Sequence, residues 1–399
     1  MKKSSWLRLV LSTMLLCMAG TGVGMANQKI EKGTKKMTTA YVGCRTTAKR
    51  YAHGKGISRY TIDEKGNWKL EGITKTLDNP AWLVLDQTKK YLYTVHGDAH
   101  EVSAFRIKED GDLEFLDTVD SQGKNPVYGV VTPNNQFLLV ASLQGGAVAS
   151  LPIRADGSLG EAVSVEHFEG PKAGGISHAH ACVLDRTGKW LLVPTQARGS
   201  GYDRVWVLAL DENTGKLTRT SYAEARKYDE PRHLVFSKDN RHVYLVNEKA
   251  STLRVFDFDD QKGQLTARQV VPTLQDTYVG PNMASAIVLS RDGKQVYVSN
   301  RIKEGIPPEG EGYAGTFRGQ ETVVSYTIDP KTGLLGNPQW TNCEGYTPRF
   351  MTLTPEGQLL VANMDSDTLQ FFAPEGKNGQ LHFTGKTVKT ESPCTVVFR

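Results

Sequence analysis

Residues 231–257 read PRHLVFSKDNRHVYLVNEKASTLRVFD, and the way this stretch divides decides the fold. Leu234, Val235 and Phe236 form a short apolar run, followed by the turn-forming residues Ser237-Lys238-Asp239-Asn240. Val243 to Val246 form a second apolar run. Thr252 to Phe256 then alternate polar and apolar, the period of a strand with one face outward. The reading is three short strands joined by polar turns. Arg232 and His233 stand at the entrance of the first strand, and Asn247 and Glu248 at the exit of the second.

Moving outward, the same design recurs. An anchor, usually proline, precedes an apolar strand, a polar turn, a second apolar strand and an outer strand. Copies begin at Pro80 (PAWLVLDQTKKYLYTVHGDAHEVSAFRI), Pro126 (PVYGVVTPNNQFLLVASLQGGAVASLPI), His178 (HAHACVLDRTGKWLLVPTQ), Pro231, Met283 (MASAIVLSRDGKQVYVSNR) and Pro348 (PRFMTLTPEGQLLVANMDSDTLQFFA). Their spacings are 46, 52, 53, 52 and 65 residues. Units close with a turn and one further strand, as in DENTGKL, DQKGQL and DPKTGLL. Four strands in about 50 residues, repeated, is the signature of a propeller blade. A seventh anchor, Pro393, starts a copy that stops at TVVFR. Its missing strands are found at the other end, in Thr39 to Gly43 and Gly56 to Asp63. The expectation is an all-β, seven-bladed β-propeller over residues 27–399. Its N- and C-terminal strands share one blade, so no sheet edge is left open. An insertion at residues 302–319, IKEGIPPEGEGYAGTFRG, lengthens the fifth unit and reads either as a connection or as a lid over one face.

Composition narrows the class. The 399 residues include 39 glycines, which scattered among short apolar runs mean many turns. Residues 1–26 read as a secretory signal, with Lys2, Lys3 and Arg8 around its start, an apolar core from Leu9 to Ala19 and small residues at Gly24-Met25-Ala26. The expected location is therefore exported, periplasmic or secreted, with no membrane attachment after cleavage. Without the three signal cations the formal charge of +5 falls to +2, which gives no electrostatic case for nucleic acid. Cys44, Cys182, Cys343 and Cys394 lack metal-finger spacing and read as buried thiols. No metal and no cofactor are expected. Asp365 and Asp367 read as turn formers. Nothing in the sequence fixes an oligomeric state.

Anchors of a propeller converge on one mouth of its channel. Here they bring His178, His180, Arg232, His233 and Arg349, while second-strand ends add Glu248 and Arg301. Such a ring suits an anionic ligand, because a guanidinium fork grips carboxylate or phosphate. No GxSxG elbow is present, so a serine triad is not supported.

PRHLVFSKDNRHVYLVNE, SHAHACVLDRTGKWLLVP, ASAIVLSRDGKQVYVSNR and PRFMTLTPEGQLLVANMDSD resemble the 6-phosphogluconolactonase family of the seven-bladed propeller type. Carboxy-cis,cis-muconate cyclase is similar to it, and the resemblance covers about Thr39 to Phe398. It implies a lactone hydrolase acting on a small lactone or anionic sugar derivative, with no cofactor. It implies Arg232, Glu248 and a histidine of the HAH segment as catalytic, His180 being slightly preferred over His178; the ring at the mouth adds His178, His233, Arg301 and Arg349 as substrate-binding. Either Glu248 or His180 could activate water, Arg232 could hold the oxyanion, and His180 or His178 could protonate the ring oxygen. Export points to an unphosphorylated sugar lactone or another lactone. A non-catalytic binding propeller and a lactonising cyclase stand as alternatives. So do plainer roles: Arg232 and Glu248 as a structural ion pair, and His180 as a hydrogen bond between blades.

Overall fold

The computed structural model describes residues 37–302, 321–376 and 378–399. The signal segment 1–26 and residues 303–319 of the insertion lie outside them. Seven antiparallel sheets stand in the order of the repeats. The opening stretch supplies three strands of blade 4: Pro231–Phe236, His242–Asn247 and Thr252–Asp259, completed by Gln264–Pro272. The first strand therefore begins at the anchor proline itself. Proline fits there because a strand's first residue can lack an N–H. In the seventh blade Pro393–Phe398 pairs with Thr38–Cys44, and Ile57–Ile62 and Trp68–Thr74 complete the sheet, so the two ends of the described chain close the ring.

Each middle strand packs against a blade on either side and is apolar on both faces, as in His242–Asn247, while outer strands such as Gln264–Pro272 are mostly exposed. The core is accordingly seven clusters, one between each pair of adjacent blades. Tyrosines stitch these layers. Tyr41, Tyr93 and Tyr244 donate to the carbonyls of Gly111, Gly157 and Gly333 in the following blade at 2.6, 3.0 and 3.0 Å.

A second device clasps blade to blade at the turns opposite the functional mouth. Asn240 sits at φ 63°, a left-handed conformation that asparagine tolerates. Its Oδ1 accepts from the Arg186 amide and its Nδ2 donates to Asp185, both at 2.9 Å. Asn135 repeats the contact with Gln87 and Asp86. Asn240→Ala removes two hydrogen bonds worth about 1 kcal/mol each and adds left-handed strain, so about 2–3 kcal/mol of stability should be lost. Urea unfolding followed by circular dichroism measures it; an unmoved midpoint would mean the clasp is incidental.

The third blade departs from expectation. Its inner strand is interrupted, with His178–Ala179 and Val183–Leu184 pairing separately with Trp190–Gln196. Pro194 in that partner strand has no N–H to offer, so the ladder cannot run through. The four cysteines are buried and form no disulfide. Asp365 and Asp367 lie in and just after a short 3-10 turn, as turn formers should. No helix among the described residues is long and apolar enough to cross a membrane.

Candidate active site

The inner strands share one irregularity, and it builds the mouth. In blade 4, Pro231 pairs with Asn247 and His233 with Val246, leaving Arg232 as an extra, bulged residue. The same one-residue bulge isolates Ala81, Val127, Arg349 and Cys394 in four other blades. A bulge re-aims the side chain it carries. All five of these residues line a narrow niche of about 30 Å³ at the channel mouth. His180 lines it too, from the break in blade 3, where its amide donates to the Pro194 carbonyl at 3.0 Å.

Beside the niche is a larger cavity of about 260 Å³, lined among the described residues by Arg45, Arg50, Arg198, Arg301 and Arg349 and by a single carboxylate, Glu248. His180 and Arg349 border both spaces.

Glu248 is the centre of this arrangement. It follows the second strand of blade 4 and is 3% exposed. Its backbone is fixed on both sides, the amide donating to Glu230 O at 2.8 Å and the carbonyl accepting from Ala284 N at 3.0 Å. Arg301 Nη2 donates to Oε1 at 2.5 Å, and Arg232 Nε lies 3.6 Å from the same oxygen. Gln196 Nε2 donates to Oε2 at 2.7 Å. Arg198 Nη2 and His180 Nε2 approach Oε2 to 3.8 and 3.9 Å. Arg232 is buried as well, and its Nη1 donates to Ser285 O at 2.7 Å and lies against the His233 ring.

Burial opposes ionisation of Glu248, but Arg301, Arg232 and the Gln196 donor outweigh it and hold the carboxyl below its ordinary value. For His180 every large influence points one way. Burial, then the charges of Arg232, Arg198 and Arg349, push it well below the ordinary imidazole value. It is neutral at pH 7, and its Nδ1 has no hydrogen-bond partner among the described residues. His233 is lowered likewise, by burial and by Arg232 and His180. It sits among aromatic rings, with Trp82 stacked on Tyr128 at 4.0 Å and His233 edge-on to both.

The structure thus brings His180, Arg232, His233, Glu248, Arg301 and Arg349 together. His178 stands apart: it is half-buried, its Nδ1 donates to Leu143 O at 2.9 Å, and it lines neither space. Arg45, Arg198 and Trp82 also line the mouth and escape the sequence pattern, because two lie in loops and Trp82 resembles any apolar strand residue. No group of three or more metal-binding side chains exists among the described residues.

Comparison with known proteins agrees with this fold. Residues 39–398 match the family described as lactonase, 7-bladed β-propeller. The chain belongs to that family. The match spans every blade, including the one shared by the two ends. Family relatives include a 6-phosphogluconolactonase of Bacillus subtilis, 25% identical over 370 residues, covering 90% of this chain and 99% of the relative. A 6-phosphogluconolactonase of Klebsiella pneumoniae is 26% identical, covering 83% of this chain and 94% of the relative. Among solved structures, a periplasmic gluconolactonase of Pseudomonas aeruginosa superimposes with a TM-score of 0.76 at 27% identity, over 91% of this chain and 99% of that one.

Proposed function

We propose that this protein hydrolyses the ring ester of a small sugar lactone, and that it does so outside the cytoplasm. The observation that carries the reading is a neutral, buried His180 beside a carboxylate held ionised, at the wall of an arginine-rich cavity of about 260 Å³. Neutral His180 supplies the basic ring nitrogen. It takes a proton from water as the water oxygen bonds to the lactone carbonyl carbon. Glu248 steadies the imidazolium that forms. Arg232 and Arg349 stabilise the negative charge on the carbonyl oxygen. When the ring C–O bond breaks, His180 returns the proton to the departing alkoxide, and the product is a hydroxy acid. Arg301 holds Glu248, His233 shapes the niche, and the surplus of guanidinium charge favours a lactone or product that carries an anionic group. The secretion signal read at residues 1–26 and the likeness to a periplasmic gluconolactonase support the location.

A screen of the purified protein tests this. At least one of 6-phosphogluconolactone, gluconolactone and a muconolactone-type substrate should open well above its spontaneous rate. If none does, the enzyme reading gives way to a ligand-binding propeller.

A further inference from the structure

Gln196 ends the second strand of blade 3 and is wholly buried. Counted from the equivalent turn residues Asp185, Ser237 and Ser290, Gln196, Glu248 and Arg301 each stand eleven positions on, so Gln196 occupies in blade 3 the place that Glu248 holds in blade 4. It pairs with His178 as Arg301 pairs with Met283. Its side chain crosses to the next blade. Its Nε2 donates to Glu248 Oε2 at 2.7 Å and to Glu230 O at 3.3 Å, while its Oε1 accepts from Arg198 Nε at 2.7 Å.

We propose that Gln196 is a positioning residue that orients the Glu248 carboxylate toward His180. The three contacts allow one amide orientation. Turning the amide over would set its oxygen against Glu248 Oε2 and Glu230 O and its nitrogen against the Arg198 guanidinium. Each Glu248 oxygen then has its own close donor, Arg301 on Oε1 and Gln196 on Oε2. Without the amide, Oε2 loses its close donor, and the carboxylate is free to turn wholly toward Arg301 and Arg232. The charge facing His180 Nε2 is lost in that rotation. Gln196 also draws Arg198 over the same oxygen, so this contact between blades couples a loop arginine to the buried carboxylate.

This role rests on the lactone-hydrolase reading, and one set of measurements separates the two. Steady-state kinetics of the wild type, Q196M and Q196E are compared from pH 4 to 8, with folding checked by circular dichroism. Q196M matches the length without a donor and should lower kcat roughly ten- to hundredfold, the scale of one hydrogen bond to a charged group, with KM changed less than about threefold. Q196E places a second carboxyl against Oε2, so the acid limb of kcat/KM should move up by about one pH unit or more. A folded Q196M with wild-type kcat, or a Q196E profile identical to wild type, overturns the role of Gln196 and leaves the lactonase reading intact. A wild type that opens no lactone overturns both. Should Q196M fail to fold, Q196E keeps the acceptor toward Arg198, and its pH profile decides alone.

Discussion

Glu248→Gln is expected to lose about 3–5 kcal/mol of folding stability at pH 7 and nearly all lactone turnover, the stability loss being that of a broken buried ion pair. Among the described residues Glu248 is the only carboxylate lining the larger cavity, and Arg301 and Arg232 are buried against it. Removing one member of such a pair leaves the other charge without compensation. The sign of the pH dependence follows from the lowered carboxyl value. Its stabilisation is complete above the ordinary Glu value and is lost as pH falls through the lower folded-state value. Wild type and variant should therefore differ most near neutrality and converge in acid. Urea unfolding at pH 7 and at pH 4 reads this directly. Equal stability of the two proteins at pH 7 would show that the arginines are satisfied without Glu248.

That double effect is why the structural and catalytic readings of Arg232 and Glu248 are hard to separate from sequence. The geometry holds an ion pair between strand ends that also faces the mouth, so it distinguishes neither reading from the other. The seven blades are legible because the signal is local, with apolar runs and polar turns recurring at nearly constant spacing. Arg232 and Glu248 are legible because the copies align, so that charge at an anchor and at an exit stands out. The bulges are not legible. They depend on how one strand registers against another, and no residue type marks them: Ala81, Val127, Arg232, Arg349 and Cys394 share only their place. Bulging is what turns the arginines into the channel. The separation of His178 from His180 is hidden for a related reason. Two histidines two apart on a regular strand would share a face, but the break opposite Pro194 sends them to different surroundings. Gln196 is visible as a polar strand end, yet its partner lies in another blade and only the assembled ring reveals it.

His180→Gln should separate chemistry from folding where Glu248→Gln cannot. A general base that also returns the proton contributes about 10²–10⁴-fold, and kcat/KM should fall by that much. Stability at pH 7 should hardly change, because the His180 ring is neutral, its Nδ1 has no partner among the described residues and its Nε2 stands 3.9 Å from Glu248. Acid then gives an opposite and diagnostic result. In the unfolded wild type His180 takes up a proton at its ordinary value near 6.5, while in the folded protein it resists until well below that. The unfolded state binds more protons in this window, so the wild type loses stability as pH falls below about 6.5, by up to about 1.4 kcal/mol per pH unit from this residue. The glutamine variant lacks that loss and should become the more stable protein at pH 5.5. The same lowered value places the acid limb of wild-type kcat/KM below pH 6.5, so activity should stay level between pH 8 and 6.5 once spontaneous hydrolysis is subtracted. An acid limb centred at or above pH 7 would mean that a group other than His180 carries the proton. A variant of full activity would remove His180 from the chemistry altogether.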